Sequence, residues 1–448
     1  MTAPIASAVG SAMRVQSAGA LFGAVRPPGS KSLTNRYLQC AALADGASTL
    51  RNAAICDDSE RMLSGLYALG IQAALDRASA VVRIAGCNGH IPASEAFIDA
   101  GAAGTAMRFL TACAALGQGV YQLDGNARMR ERPIGPLVDA LCALGASIGY
   151  SGRAGHPPLE VRARGLTGGL VEFDSPDSSQ YVSALLMAAP RAAGDVFLRV
   201  TGRGLVSRPY VQMTLQVMRS MGVEVLDATD ERFVVETPQS YRAGEFEIEP
   251  DASAAAYFWA IAAVTGGRVR VGGLSRASAQ GDTEFVNVLR DMGCAVVAGA
   301  DFLEVCGPPP GQLRGVRVDL NAMPDTVQTL AVAALAANSP TVIENVANLR
   351  VKETDRLVAL SRELSKLGAK VELRDDGLTI NPAAGLVSAE IDTYDDHRMA
   401  MSFALAGLLG PAVLIRDAAC VAKSFPGFFA SLNALRRDSG LETQHTDR

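Results

Sequence analysis

Four cations stand at the openings of stretches that otherwise carry almost no charge: Lys31 and Arg36 in GSKSLTNR, Arg108 in GTAMR and Arg398 in DHR. A helix that begins at such a point leaves backbone N–H groups without partners and places the positive end of its dipole there. Burying a cation beside it is costly unless an anion joins it, so the pattern suits a phosphate or carboxylate ligand. Lys352, Glu353 and Arg356 in VKETDR and Lys423 in AKSFPG join the set at the starts of a second series of helices. Without anions, so many like charges should repel one another and hold the site open. An isolated Ser178 or Asp325 is by itself no more than a helix cap.

The PPGSKS segment is not a nucleotide loop. Five residues separate Gly23 from Gly29, and Ser30 stands where the phosphate-loop pattern needs Lys, so ATP is not expected. His90, His156, His397 and His445 lie far apart, and only His397 falls in a motif. Neither a metal site nor a cofactor is expected.

The elements that position these residues repeat. A helix-like stretch ending in Leu or Met and Gly, followed by alternating apolar residues, recurs at Gly70, Gly145, Gly222, Gly293 and Gly368, at spacings of 71 to 77 residues. A degenerate sixth copy places Gly440 another 72 residues on. A charge-poor, Ala-rich stretch keeps the same period, opening at Ser30, Gly104, Ser178, Asp251, Asp325 and Asp396 and closing at Gly46, Gly117, Gly194, Gly266, Asn338 and Gly410. A polar opening and a Gly or Asn closing bound a helix, and the missing charge means burial on most sides. Strand-like TLRN, VYQLDG, DVFLRV, RVRVGG, TVIENV and AVLIRD follow. Each unit of about 74 residues therefore reads strand, buried helix, strand, amphipathic helix, strand, and six units span the chain.

Length and composition agree. The 448 residues are too many for one core, and 49% hydrophobic against 19% charged residues describes a globular chain. A net charge of -5 argues against a nucleic-acid surface, and the apolar runs contain Gly and are too short to span a bilayer. Eight cysteines without Cys-x-x-Cys fit a reducing, cytoplasmic compartment. The first twelve residues, MTAPIASAVGSA, read as a frayed tail without a secretory start.

From Pro28 to Phe429 the chain resembles the 5-enolpyruvylshikimate-3-phosphate synthase family. The resemblance is carried by PPGSKSLTNR, AGTAMR, RMRERPIG, SSQYVSALLMAAP, SRPY, DASAAAYF, MPDTVQTLAVAALAA, NLRVKETDR, DTYDDHRMAM and AKSFPGFF, all in the family's order. It implies an α/β enolpyruvyl transferase fold: two domains, each of three repeated βαβαββ units, with the active site in the cleft between them. With the phase of the repeats it sets the expected domains at 1–28 plus 249–448 and at 29–248, joined by paired crossovers near Gly29 and Glu249.

The implied reaction moves the enolpyruvyl group of phosphoenolpyruvate to the 5-hydroxyl of shikimate 3-phosphate, in the shikimate pathway to aromatic amino acids. Carried over residue by residue, the resemblance implies that Lys31, Ser32, Arg36, Ser178, Ser179, Ser207, Tyr210, Asp325, Asn348 and Lys352 hold shikimate 3-phosphate. Lys31, Gly104, Arg132, Gln180, Arg356, Arg398 and Lys423 would hold phosphoenolpyruvate. Asp325 is assigned to the hydroxyl proton, and Glu353 with Lys31 to the methylene proton. The partners are these small molecules, with no nucleic acid and no membrane, and the chain is expected to work as a monomer.

This chain departs from the family's usual Asn-Ala-Gly-Thr-Ala-Met-Arg-Pro, with Ala102 for Asn and Phe109 for Pro. That bears on glyphosate, the family's phosphoenolpyruvate-like inhibitor. Among alternatives, a related transferase acting on UDP-N-acetylglucosamine would carry a Cys in DGNARMRERPIG, which has none. A non-catalytic phosphate-binding solenoid would not need Lys31, Asp325, Glu353 and Lys423 together. An RNA-end cyclase is disfavoured by the acidic balance and the absent ATP loop.

Overall fold

The computed structural model describes residues 4–226 and 231–437. Its twelve α-helices alternate in character: α1 Lys31–Ala42, α2 Asp57–Ala68, α3 Gly104–Ala115, α4 Gly135–Ala143, α5 Ser179–Ala188, α6 Arg208–Ser220, α7 Ala252–Thr265, α8 Phe285–Asp291, α9 Val327–Ala333, α10 Arg356–Lys366, α11 His397–Leu409 and α12 Phe428–Ala434. The odd-numbered helices are the buried ones, and every residue of α3 is buried. Even-numbered helices hide one stripe, as α2 does with Asp58, Ser59, Met62, Gly65 and Leu66. After α2, α4, α6, α8 and α10 the chain reverses at Gly70, Gly145, Gly222, Gly293 and Gly368, whose φ angles lie between +82° and +108°. That left-handed region is open to Gly at little cost, which is why these residues mark the repeat.

Each buried helix sits against a sheet containing one parallel strand pair, such as Glu95–Asp99 with Gln118–Asp124 on either side of α3. A hairpin after the amphipathic helix completes the βαβαββ unit, as Lys370–Arg374 and Gly377–Asn381 do after α10. The buried side chains form two cores. One contains Leu33 to Ile248, and the other joins Ile5 to Leu21 with Ala252 to Leu435.

Two strands exchange places where the cores meet. Leu21–Val25 leads into α1 but pairs with Arg268–Gly272 beyond α7, while Glu245–Glu247 leads into α7 but pairs with Ala47–Arg51 beyond α1. The two connections run side by side, with Ser30 N donating to Glu249 O at 2.7 Å and Asp251 N to Pro28 O at 2.8 Å. A Cβ on Gly29 would lie 1.7 Å from Asn52 O, so this passage admits no side chain.

The structure corrects three expectations. Ala6–Val9 and Ala12–Val15 form an antiparallel hairpin rather than a frayed tail, and the second strand pairs with Val413–Ile415 of the sixth unit. It supplies that unit's missing hairpin and buries Ile5, Ala6 and Val15. After α12, Arg436–Arg437 instead joins Leu21–Val25 in the fourth unit's sheet, and Gly440 and His445 lie outside the described residues. The buried helices close at their expected glycines only at Gly266 and Gly410, because the others reach their capping hydrogen bonds earlier, as at Leu43 and Leu116. Finally, Asp325 does not cap α9, which begins at Val327 after a 3-10 turn over Pro324–Thr326.

Candidate active site

Helix starts from both cores converge on one cavity. From the first core come Lys31, Ser32 and Arg36 of α1, Gly104 and Thr105 of α3, and Ser179 and Gln180 of α5. From the second come Asp325, Lys352, Glu353 and Arg356 with His397 and Arg398 of α11; Asp58, Arg132, Ser207 and Tyr210 complete the wall on the first side. The N-caps explain the placement: Ser30 accepts from Leu33 N, Ser178 from Gln180 N and Asp396 from Arg398 N, which fixes the first turn of each helix at the cavity.

The cations are not left to repel one another. Lys31 Nζ lies 2.8 Å from Asp58 Oδ2, and Lys423 Nζ lies 2.6 Å from Asp58 Oδ1. Arg356 is gripped by Asp396 at 2.7 Å, Glu353 at 2.9 Å and Asp325 at 3.4 Å. Arg398 Nη2 lies 2.6 Å from Asp325 Oδ2, which also accepts from the Tyr210 hydroxyl at 3.2 Å. The expected open, mutually repelling arrangement is therefore replaced by contact between the cores, because Asp58, Asp325, Glu353 and Asp396 neutralise part of the charge. Seven cations (Lys31, Arg36, Arg132, Lys352, Arg356, Arg398, Lys423) face these four carboxylates, so the site remains net positive.

Protonation follows from this packing. Burial opposes ionisation of Asp325 and Glu353, yet Arg398 and Arg356 hold Asp325 well below its usual range, and Arg356 and Arg132 do the same for Glu353. Lys31 is raised by Asp58 against the effect of burial. Lys352 is pushed down to about 8 by burial, with Arg132 and Arg356 adding to the effect. His397 is kept neutral by burial and by Arg398, and neither ring nitrogen has a hydrogen-bond partner. Arg132 is also buried with its Nε unpartnered.

Most of the sequence-derived site residues meet here, with four exceptions. Ser178 serves as the cap of α5 and stands outside the cavity lining, and Asn348 stands behind Ser207, donating to its Oγ at 3.2 Å. Lys423 reaches the site through Asp58 and donates to Ala102 O at 2.8 Å. Arg108, expected among the anion-binding cations, instead donates to Gly104 O and Pro133 O and holds the loop that carries Arg132. Asp58 and His397 were given no role by the sequence. The acidic start of DDSERM looks like an ordinary helix opening, although a carboxylate followed by Met62, Gly65 and Leu66 on one buried stripe was an available signal.

The pattern of the EPSP synthase family (3-phosphoshikimate 1-carboxyvinyltransferase) matches residues 15–432. The chain belongs to the EPSP synthase family. It is 48% identical to the 3-phosphoshikimate 1-carboxyvinyltransferase of a Nostoc species, over 90% of this chain and 94% of that one. It is also 48% identical to the enzyme of that name from Laribacter hongkongensis, over 93% and 97% of the two chains. The solved EPSP synthase of Acinetobacter baumannii superposes with a TM-score of 0.76 at 25% identity, over 93% of this chain and 96% of that one. The enolpyruvyl transferase NikO of Streptomyces tendae, at 19% identity and a TM-score of 0.76 over 94% and 96% of the chains, shares the fold. The chain is thus a transferase of the shikimate pathway, moving the enolpyruvyl group of phosphoenolpyruvate to shikimate 3-phosphate in aromatic amino acid biosynthesis. Among the described residues no helix is long and apolar enough to cross a membrane.

Proposed function

We propose that the transfer takes place in the cavity between the two cores, with the residue roles set out above for shikimate 3-phosphate and phosphoenolpyruvate, Ser178, Asn348 and Lys423 acting from just outside the lining of the ligand-free cavity. The observation that carries this reading is the meeting of Arg132 and Lys352 from opposite cores with Arg356 and Arg398 around one net-positive space. Arginine forks match carboxylate and phosphate oxygens two at a time, and Ser32, Ser179 and Gln180 add polar donors.

In the first step the 5-hydroxyl oxygen bonds to C2 of phosphoenolpyruvate. Its proton passes to Asp325, while the methylene carbon becomes a methyl group by taking a proton from Glu353, which, assisted by Lys31, takes that proton up from solvent once the bound anions draw off its arginines. The tetrahedral adduct then breaks its C2–O bond, the departing phosphate takes the hydroxyl proton from Asp325, and the methyl group returns a proton to Glu353. Before substrate arrives, Asp325 and Glu353 are gripped by Arg356 and Arg398 and are weak bases. The phosphate and carboxylate of phosphoenolpyruvate compete for the same arginines, so binding loosens the carboxylates and restores their basicity. The internal carboxylates stand where substrate anions belong.

We further infer that the two cores are two domains, 1–28 plus 249–448 and 29–248, hinged at the paired connections beside Gly29 and Pro250. We infer a monomer as the working unit. The cytoplasm is the inferred compartment, supported by Cys40, Cys56, Cys113 and Cys294 serving as buried thiols. A coupled phosphate-release assay tests the whole reading: release is expected with shikimate 3-phosphate and phosphoenolpyruvate and not with UDP-N-acetylglucosamine, and the opposite preference overturns it.

A further inference from the structure

We propose that Arg128 is a positioning residue for the transfer reaction, a latch through which contact between the cores sets the backbone that carries Lys352 and Glu353. The inference rests on the reading of Glu353 as the proton-transfer group. Arg128 stands at the start of a 3-10 turn over Met129–Glu131, which is anchored by Met129, fully buried in the core of residues Leu33 to Ile248. Its guanidinium crosses to the other core. Nε donates to the carbonyls of Lys352 and Glu353, each at 3.1 Å, and Nη2 donates to Lys352 O at 2.9 Å and Arg350 O at 3.4 Å. Nη1 donates to Glu131 at 2.7 Å, which aims the fork.

The stretch it grips needs an external support. Lys352 to Asp355 lie between the 3-10 turn Ala347–Val351 and α10, outside any helix or strand. Such a backbone takes the position dictated by whatever binds its polar groups. Arg350 ties one end back to its own core through Arg374 O at 2.7 Å, Asp375 O at 2.9 Å and Asp355 at 2.9 Å. The carbonyls of Lys352 and Glu353 are held from across the cleft by Arg128. A planar fork spanning several carbonyls is a task for arginine, which the single ammonium of lysine performs only in part.

Arg128 lines a side cleft and not the cavity that contains Lys31 and Arg398, so its loss leaves the substrate-facing cations in place. The same short turn ends at Arg132, whose guanidinium faces the cavity. One element therefore holds a substrate-facing cation at one end and the latch at the other. An anion that draws Arg132 inward also seats the segment that delivers Glu353.

The test is steady-state and single-turnover kinetics on the full chain. Arg128→Ala is expected to lower kcat by about tenfold or more and to change KM for either substrate by less than about threefold, because alignment and not ligand contact is lost. Arg128→Lys should recover part of that loss. In single turnovers on a Glu353→Gln background, Arg128→Ala should cost less than about twofold more, since it acts through Glu353. A kcat within twofold of the parent, or the full cost persisting without the Glu353 carboxylate, overturns the latch. Full activity of Glu353→Gln alone overturns the role of Glu353, whatever Arg128 does. Should Arg128→Ala not yield folded protein, Arg128→Lys carries the test, with a loss of at least about threefold in kcat expected and an unchanged kcat overturning the proposal.

Discussion

Lys423 Nζ lies 2.6 Å from Asp58 Oδ1, a contact between residues 365 apart in the chain that joins one core to the other. Asp58 is buried, and its second oxygen is taken by Lys31. Removing one partner of a buried ion pair leaves the remaining charge uncompensated. Asp58→Asn is therefore expected to destabilise the ligand-free protein by about 3 kcal/mol. Ligand anions should partly replace the lost carboxylate, so the rise in melting temperature on adding both substrates should be larger than in the parent. Thermal unfolding with and without substrates reads this; an equal rise in both proteins would show that Asp58 does not stand in for a substrate anion.

Lys352 gives the site a pH dependence. Its pKa of about 8 in the free protein means it is charged below that pH and increasingly neutral above it. A bound phosphate favours the charged form, so binding of shikimate 3-phosphate is strongest below about pH 8 and weakens as pH rises through it, by up to tenfold per unit. Calorimetric titration at pH 7 and pH 9 should show the loss. Lys352→Arg, which does not titrate in this range, should flatten the dependence, and an unchanged slope would place the titrating group elsewhere.

Gly104 leaves space for the guanidinium of Arg132. A Cβ there would lie 2.5 Å from Nη2 and 2.6 Å from Nη1, so the fork must swing away. Gly104→Ala is expected to raise KM for phosphoenolpyruvate by about tenfold, the equivalent of one displaced charged hydrogen bond. KM for shikimate 3-phosphate should change by less than about twofold. Initial-rate measurements varying each substrate in turn separate the two effects.

Ala102 and Phe109 are expected to affect inhibition by glyphosate. Ala102 lines the side cleft with Arg132 and Glu353, and its carbonyl takes the Lys423 ammonium. Phe109 is fully buried, with the Arg36 guanidinium 5.5 Å from its ring centre. Glyphosate is expected to inhibit this chain more weakly than its Ala102→Asn, Phe109→Pro double variant, with Ala102→Asn alone giving the larger part of the gain. Equal inhibition constants for parent and double variant would mean these positions do not control inhibitor fit.

The repeat, the alternation of buried and amphipathic helices and the clustering of cations at helix starts were all legible in the sequence. Each is a local property: period follows from spacing, burial from missing charge, and a cap from the residue type before a helix. Lys31, Arg356 and Arg398 could thus be placed at helix starts before any fold was known. The sequence could not show that the hairpin Ala6–Val15 closes the sixth unit, because strand partners are chosen by whichever sheet edge remains open. Nor could it show that Arg108 supports a loop while Arg132 faces the cavity, since a guanidinium binds a backbone carbonyl as readily as an anion and the residue type is the same. The pairing of Asp58 with Lys423, and the reach of Arg128 to Lys352 and Glu353, join residues from opposite cores. Those choices belong to the tertiary structure, because a buried charge is held by its neighbours in space and the chain carries no local signal of who they are.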